Sequence, residues 1–187
     1  EDVKVGDWIK VPNIYKDKVI DNIDEKWKIN EQIRYDFEFD SPLKDKDFWW
    51  FIGMVLGDGW IGKNKDSYTV SICFDKKDEF YRNKAINIVK RLFNRSPSIP
   101  HKGRATIDIV FNSKFLYYFI LENFGKYSYG KMISEWVKYI PNELKIELIR
   151  GYFDSDGSWL KTYKKSEPDK AYSKITFVSV NLELLES

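Results

Sequence analysis

The stretch FIGMVLGDGWIG, Phe51 to Gly62, is a short apolar run carrying four glycines and one carboxylate, Asp58. Glycine is disfavoured inside a helix, and an acid at a helix C-terminus faces the negative end of the dipole. A helix that ends here therefore carries two local costs. The same pair of costs recurs in IRGYFDSDG, Ile149 to Gly157, another apolar piece with an internal glycine, which closes on Asp156 and a glycine. Asp58 and Asp156 stand 98 positions apart, and each is trailed by a tryptophan, Trp60 or Trp159, at the opening of an alternating stretch. The spacing marks an internal repeat.

Working outward, SPLKDKDFWWFIGMVLGD offers Ser41 as an N-cap, Pro42 at the first helical position and acids in the first turns, which predicts a helix from about 42 to 57. SYTVSICF alternates like a half-buried strand. In KDEFYRNKAINIVKRLF, residues Phe80, Ala85, Ile88, Val89 and Leu92 form a helical stripe. RATIDIVFN alternates again, and SKFLYYFILENFG reads as a helix capped by Ser113 and ended by Gly125. PNELKIELIRGYFDSDG starts with Pro141 and ends on Asp156-Gly157, and KTYKKSEPDKA lengthens the hairpin that follows it. The order is helix, strands, helix, strands, helix, and then the pattern begins again, so the expected class is α+β.

Composition narrows the function. The chain has 187 residues, 43% of them apolar and 17% aromatic, enough to fill a core. It has no apolar run of 18 or more residues and no secretory leader pattern, which points to an intracellular protein without a membrane span. The lone Cys73 forms no internal disulfide and rules out a cysteine-based zinc site; it reads as a core residue, and the lone His101 as a loop residue. Charge is unevenly spread. Residues 1–47 hold nine Lys/Arg against thirteen Asp/Glu, whereas residues 60–104 hold eleven against four, a balance of +7. A basic stretch of that kind is the footprint of a polyanion-binding face.

Gly53 and Gly57 are spaced i, i+4, as are Gly151 and Ser155, so each matching helix carries a small-residue face. Such faces let two helix backbones approach closely. Packing the two helices on each other would bring Asp58 and Asp156 together, where two carboxylates repel and call for a cation. Hard divalent ions suit that demand. Mg²⁺ typically takes one or two carboxylates while phosphate oxygens and water complete its octahedron.

The segments FIGMVLGDG and IRGYFDSDG resemble the two signature helices of the LAGLIDADG homing endonucleases, over a region from about Ser41 to the chain end. The resemblance implies two αββαββα halves packed through these helices, with antiparallel strands forming a saddle over duplex DNA. It implies that Asp58 and Asp156 are catalytic and bind two or more divalent ions, Mg²⁺ first, shared with DNA phosphates. It also implies a basic residue at the end of a saddle strand, which Lys76 matches, whereas FVSVN offers Ser179 and Asn181 in the second half. Lys63, Lys65, Lys77, Arg104, Lys161, Lys164 and Lys165 are the candidate contacts to DNA, mostly to phosphate. The expected activity is site-specific double-strand cleavage; the alternative is a binding module on the same scaffold, an RNA maturase or transcription regulator.

Residues 1–13, EDVKVGDWIKVPN, resemble a strand segment of the splicing domain of inteins. There is no nucleophile at position 1 and no terminal His-Asn pair, so splicing by this chain alone is not expected. The implied organisation is an appendage over 1–40, a first half over 41–140 and the start of a second half over 141–187. The second half ends inside NLELLES, which predicts a fragment completed by the rest of its own second half or by another chain.

Overall fold

The computed structural model describes residues 42–100, 105–177 and 179. The appendage expected over 1–40, the Ser41 cap, His101 and NLELLES lie outside these residues. The first signature helix is α1, Lys46–Asp58. It starts four residues later than expected, because Pro42–Lys44 form a separate 3-10 turn and Asp45 is the cap, its carboxylate accepting from the Asp47 N–H at 2.8 Å. Every residue from Phe48 to Leu56 is buried, so α1 is a core helix apolar all round.

From Asp58 the chain passes directly into β1, Gly59–Asn64, which pairs antiparallel with β2, Ser67–Asp75. The helix α2, Glu79–Phe93, follows, then β3, Thr106–Asn112, antiparallel to β2, and α3, Lys114–Phe124. The sheet order is β1-β2-β3. Where a second pair of strands is expected, the described residues hold β3 and an isolated bridge from Ser98 to Val110. On α2, Ala85, Ile88, Val89 and Phe93 are buried, while Phe80 is 75% exposed; the stripe runs one turn further along than its first apolar residue suggested. Alternation puts Ile61, Val70, Ile72, Phe74, Ile109 and Phe111 on the inner face against the helices, with Phe51 of α1 meeting Phe111 at 6.1 Å between ring centres.

The second signature helix is α4, Asn142–Asp156, followed by β4, Gly157–Lys164, and its antiparallel partner β5, Glu167–Phe177. KTYKKSEPDKA is strand on both sides of a tight turn and so lengthens the hairpin as expected, with a register irregularity at Tyr163/Lys164. Phe177 stacks on Tyr152 at 5.8 Å and holds the hairpin to α4.

The α1 and α4 backbones touch. A β-carbon added to Gly53 would lie 2.6 Å from the Tyr152 nitrogen, and one added to Gly151 would lie 2.8 Å from the Trp50 carbonyl carbon and 3.1 Å from the Gly53 α-carbon. At the far end of the same line, a β-carbon on Gly57 would meet the Ser155 side chain and stand 3.2 Å from Asp156 Oδ2. Trp50 adds a polar tie, its Nε1 donating to Asp154 Oδ2 at 2.8 Å, while Tyr81 of α2 stacks on its ring and Lys84 sits 3.9 Å from the ring centre.

Candidate active site

The two signature helices end in the same way: the Gly59 N–H donates to the Val55 carbonyl, and the Gly157 N–H to the Phe153 carbonyl. Neither helix turns into a left-handed cap. Each glycine instead opens a strand in extended backbone, so each acid sits at a junction where helix becomes sheet. Because α1 and α4 cross at their glycines, the two junctions come side by side. Burial and the neighbouring negative charge of Asp156 push the Asp58 carboxyl up to about 6, with Asp78 adding to the rise and Lys131 opposing it. Burial raises Asp156 as well, again against the pull of Lys131.

Lys131 is the residue that the sequence analysis missed. Its Nζ donates to the Gly57 carbonyl at 3.0 Å and to the Leu56 carbonyl, so the ammonium caps the last turn of α1 and offsets the negative end of its dipole. Burial lowers its proton affinity, while Asp156 and Asp58 raise it. A short loop delivers it. Gly125 ends α3 at φ 73°, where an added β-carbon would run into Gly130, and a bridge from Gly125 to Lys131 closes the turn. The sequence signal was faint: GKYSYGK sets Lys131 after the second of two glycines, but its partners are main-chain carbonyls, which leave no mark in a sequence.

Lys76 follows the end of β2, which runs three residues past Ile72, the partner of Gly59; its own N–H donates to the Ala105 carbonyl at 3.1 Å. Lys77 continues that turn, its N–H bound to Asp75 at 2.9 Å. Lys63 leaves β1 on the helix side, 5.2 Å from the Tyr68 ring centre and 3.4 Å from the Tyr118 hydroxyl, and Lys65 occupies the β1–β2 turn at φ 50°. Lys161 lies exposed on β4, 5.7 Å from the Trp159 ring centre, and Lys165 is in the β4–β5 turn. Ser179 is half-buried. Arg104, Asn181 and the Lys164 side chain are outside the described residues. Cys73 is half-buried on the outer sheet face rather than in the core.

Chemically, the centre of this arrangement is a pair of neighbouring, partly desolvated carboxylates, with the charge of Asp156 raising the proton affinity of Asp58, a donor set that fits a hard divalent cation. Among the described residues no group of three or more His, Cys, Asp or Glu forms a closed cage. An open pair of carboxylates leaves positions for phosphate and water, as Mg²⁺ sites commonly do.

No protein-family profile matches the chain. Among curated proteins it is similar to the DNA-directed RNA polymerase subunit Rpo1C of Methanocaldococcus jannaschii, 37% identical over 145 residues, which is 75% of this chain and 16% of that protein. It is also similar to the DNA polymerase II large subunit of Thermococcus kodakarensis, 26% identical over 72% of this chain and 7% of that one. The chain thus spans no more than 16% of the length of these relatives. Among solved structures it is similar to the homing endonuclease I-DmoI, at 18% identity and a TM-score of 0.44 over 64% of this chain and 68% of that one. Another I-DmoI structure, in complex with DNA and Mn, gives 18% identity and a TM-score of 0.43 over 64% of this chain and 69% of the other. The LAGLIDADG meganuclease I-AabMI bound to uncleaved DNA gives 15% identity and a TM-score of 0.42 over 69% of this chain and 65% of that one. Among the described residues no helix is long and apolar enough to cross a membrane.

The raised Asp58 carboxyl has a measurable consequence in metal-free protein. A carboxyl with a folded-state value of about 6 favours the fold when protonated. That contribution is complete below the unfolded value near 4 and is lost as the pH rises through 6. Screened by the water that reaches half of this group, it is worth on the order of 1 kcal/mol. With EDTA present, the melting temperature should rise by a few degrees from pH 7 to pH 5, and the rise should shrink in Asp58→Asn. An identical pH slope in the two proteins contradicts the charge pairing described here.

Proposed function

We propose that this chain is the DNA-cutting portion of a LAGLIDADG homing endonuclease, carried by an intein or a mobile intron, that hydrolyses phosphodiesters at a specific duplex site with Mg²⁺. The observation that carries the reading is the meeting of Asp58, Asp156 and Lys131 at the adjoining ends of α1 and α4. Asp58 and Asp156 would hold the divalent ions, whose bound state supplies an activated water and neutralises charge developing on the phosphate. Lys131, kept in place by two carbonyls, offers a positive charge beside that centre, and Lys76 assists from the end of β2. The cations named above contact phosphate around the sheet.

Support for an inserted origin comes from the relatives: similar segments occur within an RNA polymerase subunit and a DNA polymerase subunit, proteins of different kinds that share a small portion with this chain. Residues 1–40 are then a splicing-domain remnant, 41–140 the first half and 141–187 part of the second. One observation favours a binding module that does not cut, because Lys131 already offsets part of the charge on the acid pair.

A plasmid-nicking assay separates the readings. Wild-type protein should nick supercoiled DNA in Mg²⁺ and not in EDTA, and Lys131→Met should lower the rate about 10²-fold, the usual loss when one charge-stabilising donor is removed. Metal-independent nicking, or a Lys131→Met protein as active as wild type, would count against the assignment. DNA binding without any nicking would favour the binding module.

A further inference from the structure

The outer face of the β1–β3 sheet presents hydrogen-bonding side chains but, among the described residues, no lysine or arginine; Asn64, Ser67, Thr69, Thr106, Asp108 and Asn112 all lie on it by strand alternation. Three of them form a fixed unit. Ser67 Oγ donates to Asn112 Oδ1 at 2.8 Å, and Thr69 Oγ1 donates to the same oxygen at 3.4 Å. Thr69 stands directly opposite Asn112 in the ladder, and Ser67 is its neighbour on that face. A carboxamide oxygen has two acceptor positions, and both are used. The exposed Asn112 therefore offers solvent its Nδ2 donors alone.

That asymmetry matters for reading a base. A free asparagine pairs with adenine by giving one hydrogen bond to N7 and accepting one from the N6 amino group. With Oδ1 already engaged, the second bond is unavailable. Guanine presents two major-groove acceptors, O6 and N7, whereas cytosine presents an amino donor. We propose that Asn112, oriented by Ser67 and Thr69, is a specificity residue that selects guanine over adenine and cytosine at one position of the DNA site. The proposal rests on the reading of this chain as a sequence-specific DNA-binding endonuclease, and it adds the identity of a base and the residue that reads it. The sheet's size suits the task, since a β-ribbon fits the major groove.

The experiment is selection of bound duplexes from a randomised DNA library with the 187-residue chain, followed by sequencing. Wild type should show one position at which guanine is enriched about tenfold over cytosine, within the range of one good side-chain–base contact. Asn112→Asp keeps the shape and the two hydroxyl bonds but turns the outward group into an acceptor, so the same position should switch to cytosine or adenine. Ser67→Ala with Thr69→Ala frees Oδ1 and should admit adenine beside guanine. All three side chains are at least partly exposed on the sheet's outer face, so folding should be retained, which circular dichroism checks. If the Asn112→Asp profile equals that of wild type while other positions remain selected, Asn112 reads no base and this proposal is wrong. A wild-type profile with no preference anywhere overturns the site-specific reading of the chain together with this one.

Discussion

Alanine in place of Gly151 is expected to cost on the order of 3 kcal/mol or more of folding stability, well above the typical substitution. The added β-carbon would have to share space with the Trp50 carbonyl and the Gly53 α-carbon, which are main-chain atoms that no side-chain rotation can move. Relief requires α1 and α4 to separate, and that opens the contact along the length of the crossing. A control is built into the molecule: a β-carbon on Gly130 meets nothing within 4 Å, and its φ is not positive, so Gly130→Ala should stay within about 0.5 kcal/mol of wild type. Urea titration of the two variants compares them directly. If Gly151→Ala unfolds within 1 kcal/mol of wild type, the backbone contact described here is wrong.

The second large effect concerns the acids. Asp58→Asn or Asp156→Asn should lower metal-dependent cleavage by on the order of 10³-fold, more than the 10–100-fold that loss of an outer-shell partner typically brings. DNA affinity should change little, and the metal-free chain should become more stable, since one of two mutually repelling carboxylates is gone. That combination discriminates: a substitution that merely disturbed the fold would lower stability and activity together. Initial-rate nicking assays read the cleavage, binding isotherms the affinity, and thermal melts the stability. Cleavage that persists within tenfold of wild type in both variants would remove these residues from the catalytic centre.

The main course of the chain was legible in its sequence because the signals were covalent and local. Gly53, Gly57, Gly151 and Ser155 announce close packing through the absence of bulk, and Asp-Gly twice after an apolar run marks where helix gives way to strand. Ser113 and Gly125 bound α3 where their capping chemistry indicates. The start of α1 was harder to place, because Pro42 and Asp45 both supply start signals and the 3-10 turn uses the first of them. Lys131 escaped notice for a different reason. Its position depends on a loop closing from Gly125 and on carbonyls of another helix, and neither has a residue-type signature. The side on which Lys63 leaves its strand was likewise set by register with Tyr68, which alternation alone does not orient.

The glycine crossing of α1 and α4 also bears on how such a protein changes over time. The crossing is held by main-chain atoms in contact at Gly53 and Gly151, and toward the helix ends only the small Ser155 side chain stands against Gly57. Residues on the outer sheet face, such as Asn112, take no part in that contact. If that face reads DNA as proposed, substitutions on it can accumulate and retune recognition without altering the spacing of the acids, which makes the scaffold evolvable in one respect while it stays rigid in the other.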